Sequence, residues 1–126
     1  ARAMGSDLRS EVVEGCHDNL EAFGLVANLF SCDVGRVPSQ VDEVDAVATD
    51  PPYGRAAATM GEDLPELMRR AFVTFHEVLR AGGRVAISLP HPDFLDLGKQ
   101  YLRLLEWHSL PVHRSLVRYF AVFEKP

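Results

Sequence analysis

The spacing of apolar positions changes period several times along the chain, and the changes mark out its elements. Ala3-Met4-Gly5-Ser6 is a short apolar stretch that ends on Asp7. The period then becomes helical: Val12 or Val13, Cys16, Leu20 and Phe23 recur at steps of three and four, with Ser10 as the expected cap and Gly24 as the stop. Leu25 to Phe30 predicts a strand or its lead-in, closing on Ser31-Cys32-Asp33. A polar, proline-containing link from Gly35 to Glu43 leads to a second strand, Val44 to Thr49. That strand must stop at Asp50-Pro51-Pro52, where two prolines remove the donors a ladder needs.

Arg55 to Gly61 reads as loop. A long amphipathic helix is predicted from Asp63, with Glu66 completing a capping box. Its apolar face holds Leu64, Leu67, Met68, Ala71, Phe72, Phe75, Val78 and Leu79. Gly82-Gly83 ends it, and Arg84 to Leu89 is a buried strand by its β-branched content. After the loop Pro90-His91-Pro92, Phe94 to Leu105 predicts a helix weakened by Gly98. Val112-His113 and Ser115 to Phe123 predict a closing strand pair. Trp107 and the Phe72/Phe75 pair are core by default, and Arg69-Arg70 is surface charge. The order β-α-β, β-α-β-α-β-β argues for an α/β layer with a mainly parallel sheet. Ligands of such sheets bind beyond the carboxyl ends of the strands. Three of the segments read as strands end in Asp7, Asp33 and Asp50.

Composition narrows the class. The 126 residues are 47% hydrophobic and 25% charged, which excludes disordered, collagen-like and disulfide-framework chains. Thirteen Lys+Arg against eighteen Asp+Glu leave a net charge of −5. Isolated nucleic-acid binders usually carry a basic excess, so this chain would meet a polyanion through a local patch or a partner. No apolar run approaches the roughly 18–20 residues of a membrane span, and the first residues lack signal-peptide architecture. A cytoplasmic location is expected. Cys16 and Cys32 lack ligand spacing and read as small buried hydrophobes. The five histidines form no H-x-x-x-H pair, so no metal site is expected.

Asp50-Pro51-Pro52-Tyr53-Gly54 after an apolar strand is the most specific feature. It resembles the D/N-P-P-Y motif of amino-methyltransferases, which use S-adenosylmethionine to methylate exocyclic amines of nucleobases or the amide of glutamine. The wider pattern adds Asp45 to Arg55, Gly82-Gly83-Arg84-Val85 and His113-Arg114-Ser115-Leu116-Val117-Arg118-Tyr119. Over nearly all its length the chain is similar to the archaeal and eukaryotic tRNA methyltransferases that modify the guanine amine at position 10. The resemblance implies a Rossmann-like class I methyltransferase fold.

It also implies roles. An aromatic amine is a poor nucleophile because its lone pair is delocalised into the ring. The Asp50 carboxylate and the Pro51 carbonyl can accept its hydrogens and favour the pyramidal form, while Pro51-Pro52 stiffens the loop so that the acceptors are already aimed. Tyr53 offers a face on which a flipped base can stack. Asp7 would accept the ribose hydroxyls of the cofactor and Asp33 its adenine amine, with Leu8 and Cys32 as apolar walls around the adenine. Arg55, His113 and Arg114 are candidate substrate contacts, and Arg118 is either a phosphate contact or solvated charge.

The family pattern begins with a strand and a glycine-rich loop, and carries an RNA-binding region before the catalytic domain. Neither precedes Asp7. Residues 1–126 are therefore expected to be the C-terminal part of a single catalytic domain, truncated at its N-terminus and inactive or weakly active alone. Its grip on tRNA would lie elsewhere, and an exposed sheet edge could recruit a partner chain or a second copy. Adenine-N6 methylation of DNA or RNA is the alternative reaction, because the same tetrapeptide serves both. A non-catalytic scaffold with a degenerate methyltransferase fold is the alternative outside enzymology.

Overall fold

A computed structural model describes residues 1–52 and 61–126 of the chain. They form two compact units, Ala1–Gln40 and Val41–Pro126. Tyr53 and Arg55, two of the expected site residues, lie outside the described residues.

In the first unit β1 (Met4–Asp7) is followed by α1 (Ser10–Ala22), β2 (Asn28–Ser31) and a 3₁₀ helix (Val34–Ser39). The two strands pair in parallel, with Met4 opposite Asn28 and Asp7 opposite Ser31. Ser10 proves to be the first residue of α1 rather than its cap. Arg9 takes the cap position, and its carbonyl receives the N–H groups of Val12 and Val13. At the other end Gly24 N–H donates to Glu21 and Leu25 N–H to Leu20, a pair of bonds that satisfies the last helical carbonyls. These bonds, which draw Leu25 back toward α1, delay the strand to Asn28; Leu25 and Val26 are exposed. Cys16 is also exposed, not the buried hydrophobe its helical spacing suggested, while Cys32 is half-buried. The link from Gly35 is ordered as the 3₁₀ helix, capped by Asp33.

The second unit is a four-stranded sheet in the order β3-β4-β6-β5 with two helices. Strand β3 (Val44–Thr49) runs parallel to β4 (Leu79–Leu89), while β6 (Leu116–Glu124) is antiparallel to both β4 and β5 (Arg103–His113). The β-α-β order holds in both units, but the sheet is mixed because the closing pair is a hairpin. Helix α2 (Leu64–Val78) starts after Asp63 as expected. The capping box does not form: Asp63 makes no side-chain cap bond, and Glu66 instead accepts from Arg69 Nη2 at 2.6 Å. That bond, ahead of the other contributions, holds the Glu66 carboxyl below its ordinary range and raises the Arg69 guanidinium. Arg70, read as surface charge, donates to Glu62 Oε2 at 2.6 Å.

Helix α2 ends at Val78, not at the glycine pair, and Leu79 already belongs to the sheet. Residues 80–83 form a bulge between the Val44–Leu79 and Ala46–Arg84 pairs. Gly82 sits at φ 76° there, a left-handed conformation that disfavours side chains. The helix predicted from Phe94 to Leu105 is in fact α3 (Asp93–Lys99), followed by β5. Leu102, Leu104 and Leu105 satisfy a helical period, but residues 103–106 pair with Glu124–Val122 on β6 instead. Arg84 and Arg103 both donate to Glu124, joining β4, β6 and β5. The bond from Arg103 first, then that from Arg84, keeps the Glu124 carboxyl below its ordinary range.

The core of this unit lies between the helices and one sheet face: Met68, Phe72, Phe75, Leu79, Val85, Leu89 and Phe123 are buried. Trp107 is not core; it is 48% exposed on the edge strand, tilted against Tyr119. Gly98 is less a helix weakness than a close approach. A Cβ there would lie 2.5 Å from Phe123 Cζ and 2.8 Å from Phe72 Cζ, both on fully buried rings. Alanine would improve helix propensity by about 1 kcal/mol, yet overpacking a closed core costs about 1–3 kcal/mol. Gly98→Ala is therefore expected to lower the midpoint of denaturant unfolding; a raised midpoint would show that the rings can yield. No helix among the described residues is long and apolar enough to cross a membrane.

Candidate active site

Each unit presents acidic residues where its parallel strands end. In the first, Asp7 and Ser31 are ladder partners, so Asp7-Leu8 and Cys32-Asp33 leave neighbouring strands together. Cys32 N–H donates to the Asp7 carbonyl at 3.1 Å, and Ser31 Oγ donates to the Leu8 carbonyl at 3.2 Å. The carboxylates are turned back on their own loops. Asp7 Oδ1 accepts from Arg9 N–H and Asp33 Oδ1 from Gly35 N–H, both at 2.8 Å. Such turns fix the direction of each side chain. A carboxylate has sites for about four hydrogen bonds, so a single N–H at Asp7 leaves capacity for a pair of hydroxyls. Leu8 is 44% exposed beside them.

Two carboxylates on neighbouring segments that also carry Leu8 and Cys32 have the chemistry to suit a nucleoside, which shows hydroxyls at one end and an amine-bearing ring at the other. Cys32 belongs to the apolar part. Burial first, then the charge of Asp33, pushes its thiol above the ordinary range, against a hydrogen bond with Ser6. Near neutral pH it stays protonated, which suits apolar packing rather than nucleophilic attack. Maleimide mapping by mass spectrometry should find exposed Cys16 labelled several-fold faster than Cys32; equal rates would contradict this environment.

In the second unit the strand ends assemble around Asp50. Strand β3 stops at Thr49, opposite Ile87 of β4, and Leu89, the end of β4, faces Tyr119 of β6. Asp50, Pro90 and the β5–β6 hairpin therefore leave the sheet at one end, the carboxyl end of its parallel strands. Asp50 is exposed, with half-buried Pro51 and Pro52 after it. Arg118 Nη1 stands 3.7 Å from Asp50 Oδ2, an ion pair in which the arginine side chain is 29% and the carboxylate 57% exposed. His113 closes β5 and Arg114 occupies the hairpin turn, both exposed, with His113 Nδ1 held by Ser115. Beyond Pro90, an open cleft of about 410 Å³ is lined by Pro65, His91, Asp93, Phe94 and Leu97.

Sequence spacing had no means of pairing Arg118 with Asp50, because the two meet only through the β4–β6 register. It also passed over His17, Asp18 and Glu21, whose ligating atoms lie within 4.8 Å of one another. All three are exposed, as on any solvated helix face.

Comparison with known proteins gives this geometry a context. A family model described as RMKL-like, methyltransferase domain (UPF0020) matches residues 1–119. The chain is 34% identical over 127 residues to a tRNA (guanine(10)-N2)-dimethyltransferase of Methanothermobacter thermautotrophicus, covering 98% of this chain and 37% of that protein. Against the enzyme of the same name from Pyrococcus abyssi it is 34% identical over 128 residues, covering 98% and 38%. The chain thus spans little more than a third of these relatives. Among solved structures, TrmN from Thermus thermophilus superposes with a TM-score of 0.82 at 22% identity, over 99% of this chain and 36% of that one. The fold is that of the Rossmann-like methyltransferases.

Proposed function

The chain belongs to the family of RMKL-like methyltransferase domains, and on that premise we propose that it is the part of an S-adenosylmethionine-dependent enzyme that methylates the exocyclic amine of a guanine in tRNA. The observation that carries the reading is Asp50-Pro51-Pro52 at the carboxyl end of β3, with an arginine on its carboxylate. The names of the relatives support guanine-N2 of tRNA as the acceptor.

When bound, S-adenosylmethionine supplies an electrophilic methyl group. Asp7 would hold its ribose hydroxyls and Asp33 its adenine amine, with Leu8 and Cys32 against the ring; the donor set fits a nucleoside. Asp50 and the Pro51 carbonyl accept the two amine hydrogens, drawing the nitrogen lone pair out of the ring. The two prolines hold those acceptors in place, so no reorganisation is needed during transfer. Asp50 need not be a strong base, because the proton can leave after the methyl has arrived. Tyr53 is assigned to stacking the flipped base, and Arg55, His113 and Arg114 to the substrate.

Residues 1–126 are read as a part of one catalytic domain. A chain of net charge −5 makes a poor electrostatic footprint for RNA, so the grip on tRNA is assigned to sequence or a partner outside these elements. The cytoplasm is the assigned compartment. The test is methyl transfer by the natural gene product to unmodified tRNA, followed by nuclease digestion and mass spectrometry of the nucleosides. N2-methylguanosine or its dimethyl form is the expected product; methyladenosine, or no methylated nucleoside, would refute the assignment.

A further inference from the structure

We propose that Arg118 is a positioning residue for Asp50, holding the carboxylate in the direction that meets the substrate amine. The inference rests on the reading of Asp50 as the acceptor of that amine. It goes further by giving a role to a side chain whose sequence context left it divided between phosphate contact and solvated charge.

Sheet topology brings the two side chains together. β4 lies between β3 and β6, so Asp50 and Arg118 stem from strands two spacings apart, about 10 Å. The Leu89–Tyr119 pair is the last of the β4–β6 ladder. Arg118 thus lies one residue past the end of β4, where no β4 residue pairs with it. Its long side chain crosses that end and closes the gap to 3.7 Å. Meanwhile its own backbone is held in the β5–β6 ladder opposite Leu110. The cation is anchored in the sheet, and Asp50 directly follows Thr49, the last residue of β3. A half-exposed ion pair of this kind contributes little to stability. What it supplies is direction: a cation 3.7 Å from Oδ2 favours side-chain rotamers that keep that oxygen toward the guanidinium. An arginine so engaged is also a poor candidate for gripping RNA phosphate.

Removing the guanidinium should therefore slow the chemical step without weakening tRNA binding. In the natural gene product, Arg118→Met is expected to reduce kcat by about tenfold to a hundredfold, the scale of a small misplacement at a reacting centre. KM for tRNA should stay within about twofold. Arg118→Lys keeps the charge without the planar fork and should recover most of the rate, while both variants unfold at the wild-type temperature. A raised KM with unchanged kcat would identify a phosphate contact and overturn the proposal. Equal losses in the Lys and Met variants with lowered unfolding temperatures would reduce Arg118 to a structural element and overturn it too. Asp50→Ala, run in parallel, separates the levels. If it leaves kcat intact, the reading of Asp50 itself fails. If it removes activity while Arg118 behaves as a phosphate contact, only the positioning role fails.

Discussion

Asp50→Ala should lower kcat for methyl transfer by about a hundredfold to a thousandfold, the cost of removing one preorganised hydrogen-bonding group from a developing charge. The amine needs two acceptors to leave conjugation with its ring, and alanine leaves only the Pro51 carbonyl. Asp50→Asn keeps one oxygen acceptor in nearly the same place but adds an NH₂ donor, so it should fall between wild type and alanine. Asp50→Glu keeps the charge and moves it outward by a methylene, a displacement of about 1 Å that costs about a hundredfold where geometry governs the rate. Cofactor binding should be unaffected in all three, because the residues assigned to it, Asp7 at the end of β1 and Asp33 at the cap of the 3₁₀ helix, belong to other elements. Single-turnover transfer of labelled methyl to tRNA, beside calorimetric titration with the cofactor, checks both statements. Unchanged transfer by Asp50→Ala would leave the scaffold reading in possession of the field.

The largest expected loss of stability is at Phe72. Its ring is fully buried and packs edge-on to Phe75 at 5.9 Å and to Phe123 at 5.2 Å, tying α2 to the middle of the sheet through β6. Phe72→Ala removes that ring from a site closed by α3 at Gly98, so little can collapse into the space. Truncations of this type cost about 3–5 kcal/mol, a large fraction of the 5–15 kcal/mol that holds a typical domain. Urea unfolding of the natural gene product should show a strongly lowered midpoint, and Phe72→Leu a much smaller shift. A midpoint near that of wild type for Phe72→Ala would mean that the three rings are not the organising contact of the second unit.

What could be read from the residues followed the strength of local signals. β3 was legible to the residue because an apolar run meets two prolines, and the start of α2 because Asp63 precedes an eight-residue apolar face. β5 was misread because Leu102, Leu104 and Leu105 fit a helical period, while the β6 ladder that overrides it comes from residues later in the chain. Glu66 stood at capping-box spacing, but a bidentate arginine one turn on proved the better partner. In the site, Asp7 does end β1, whereas Asp33, read as closing the next strand, lies two residues past β2 as the cap of the 3₁₀ helix; the parallel β1–β2 register brings their segments together. The neighbour of Asp50 was hidden, because contact between strands two positions apart depends on register and leaves no mark in sequence spacing.

The central claim is that Asp50-Pro51 addresses the exocyclic amine of guanine. It is tested most directly by methyl transfer to a tRNA in which inosine, whose base lacks only that amine, replaces guanine at position 10. Transfer to the guanine-containing tRNA and none to its inosine counterpart is the expected result. Equal labelling of both would place the methyl on another atom and contradict the account.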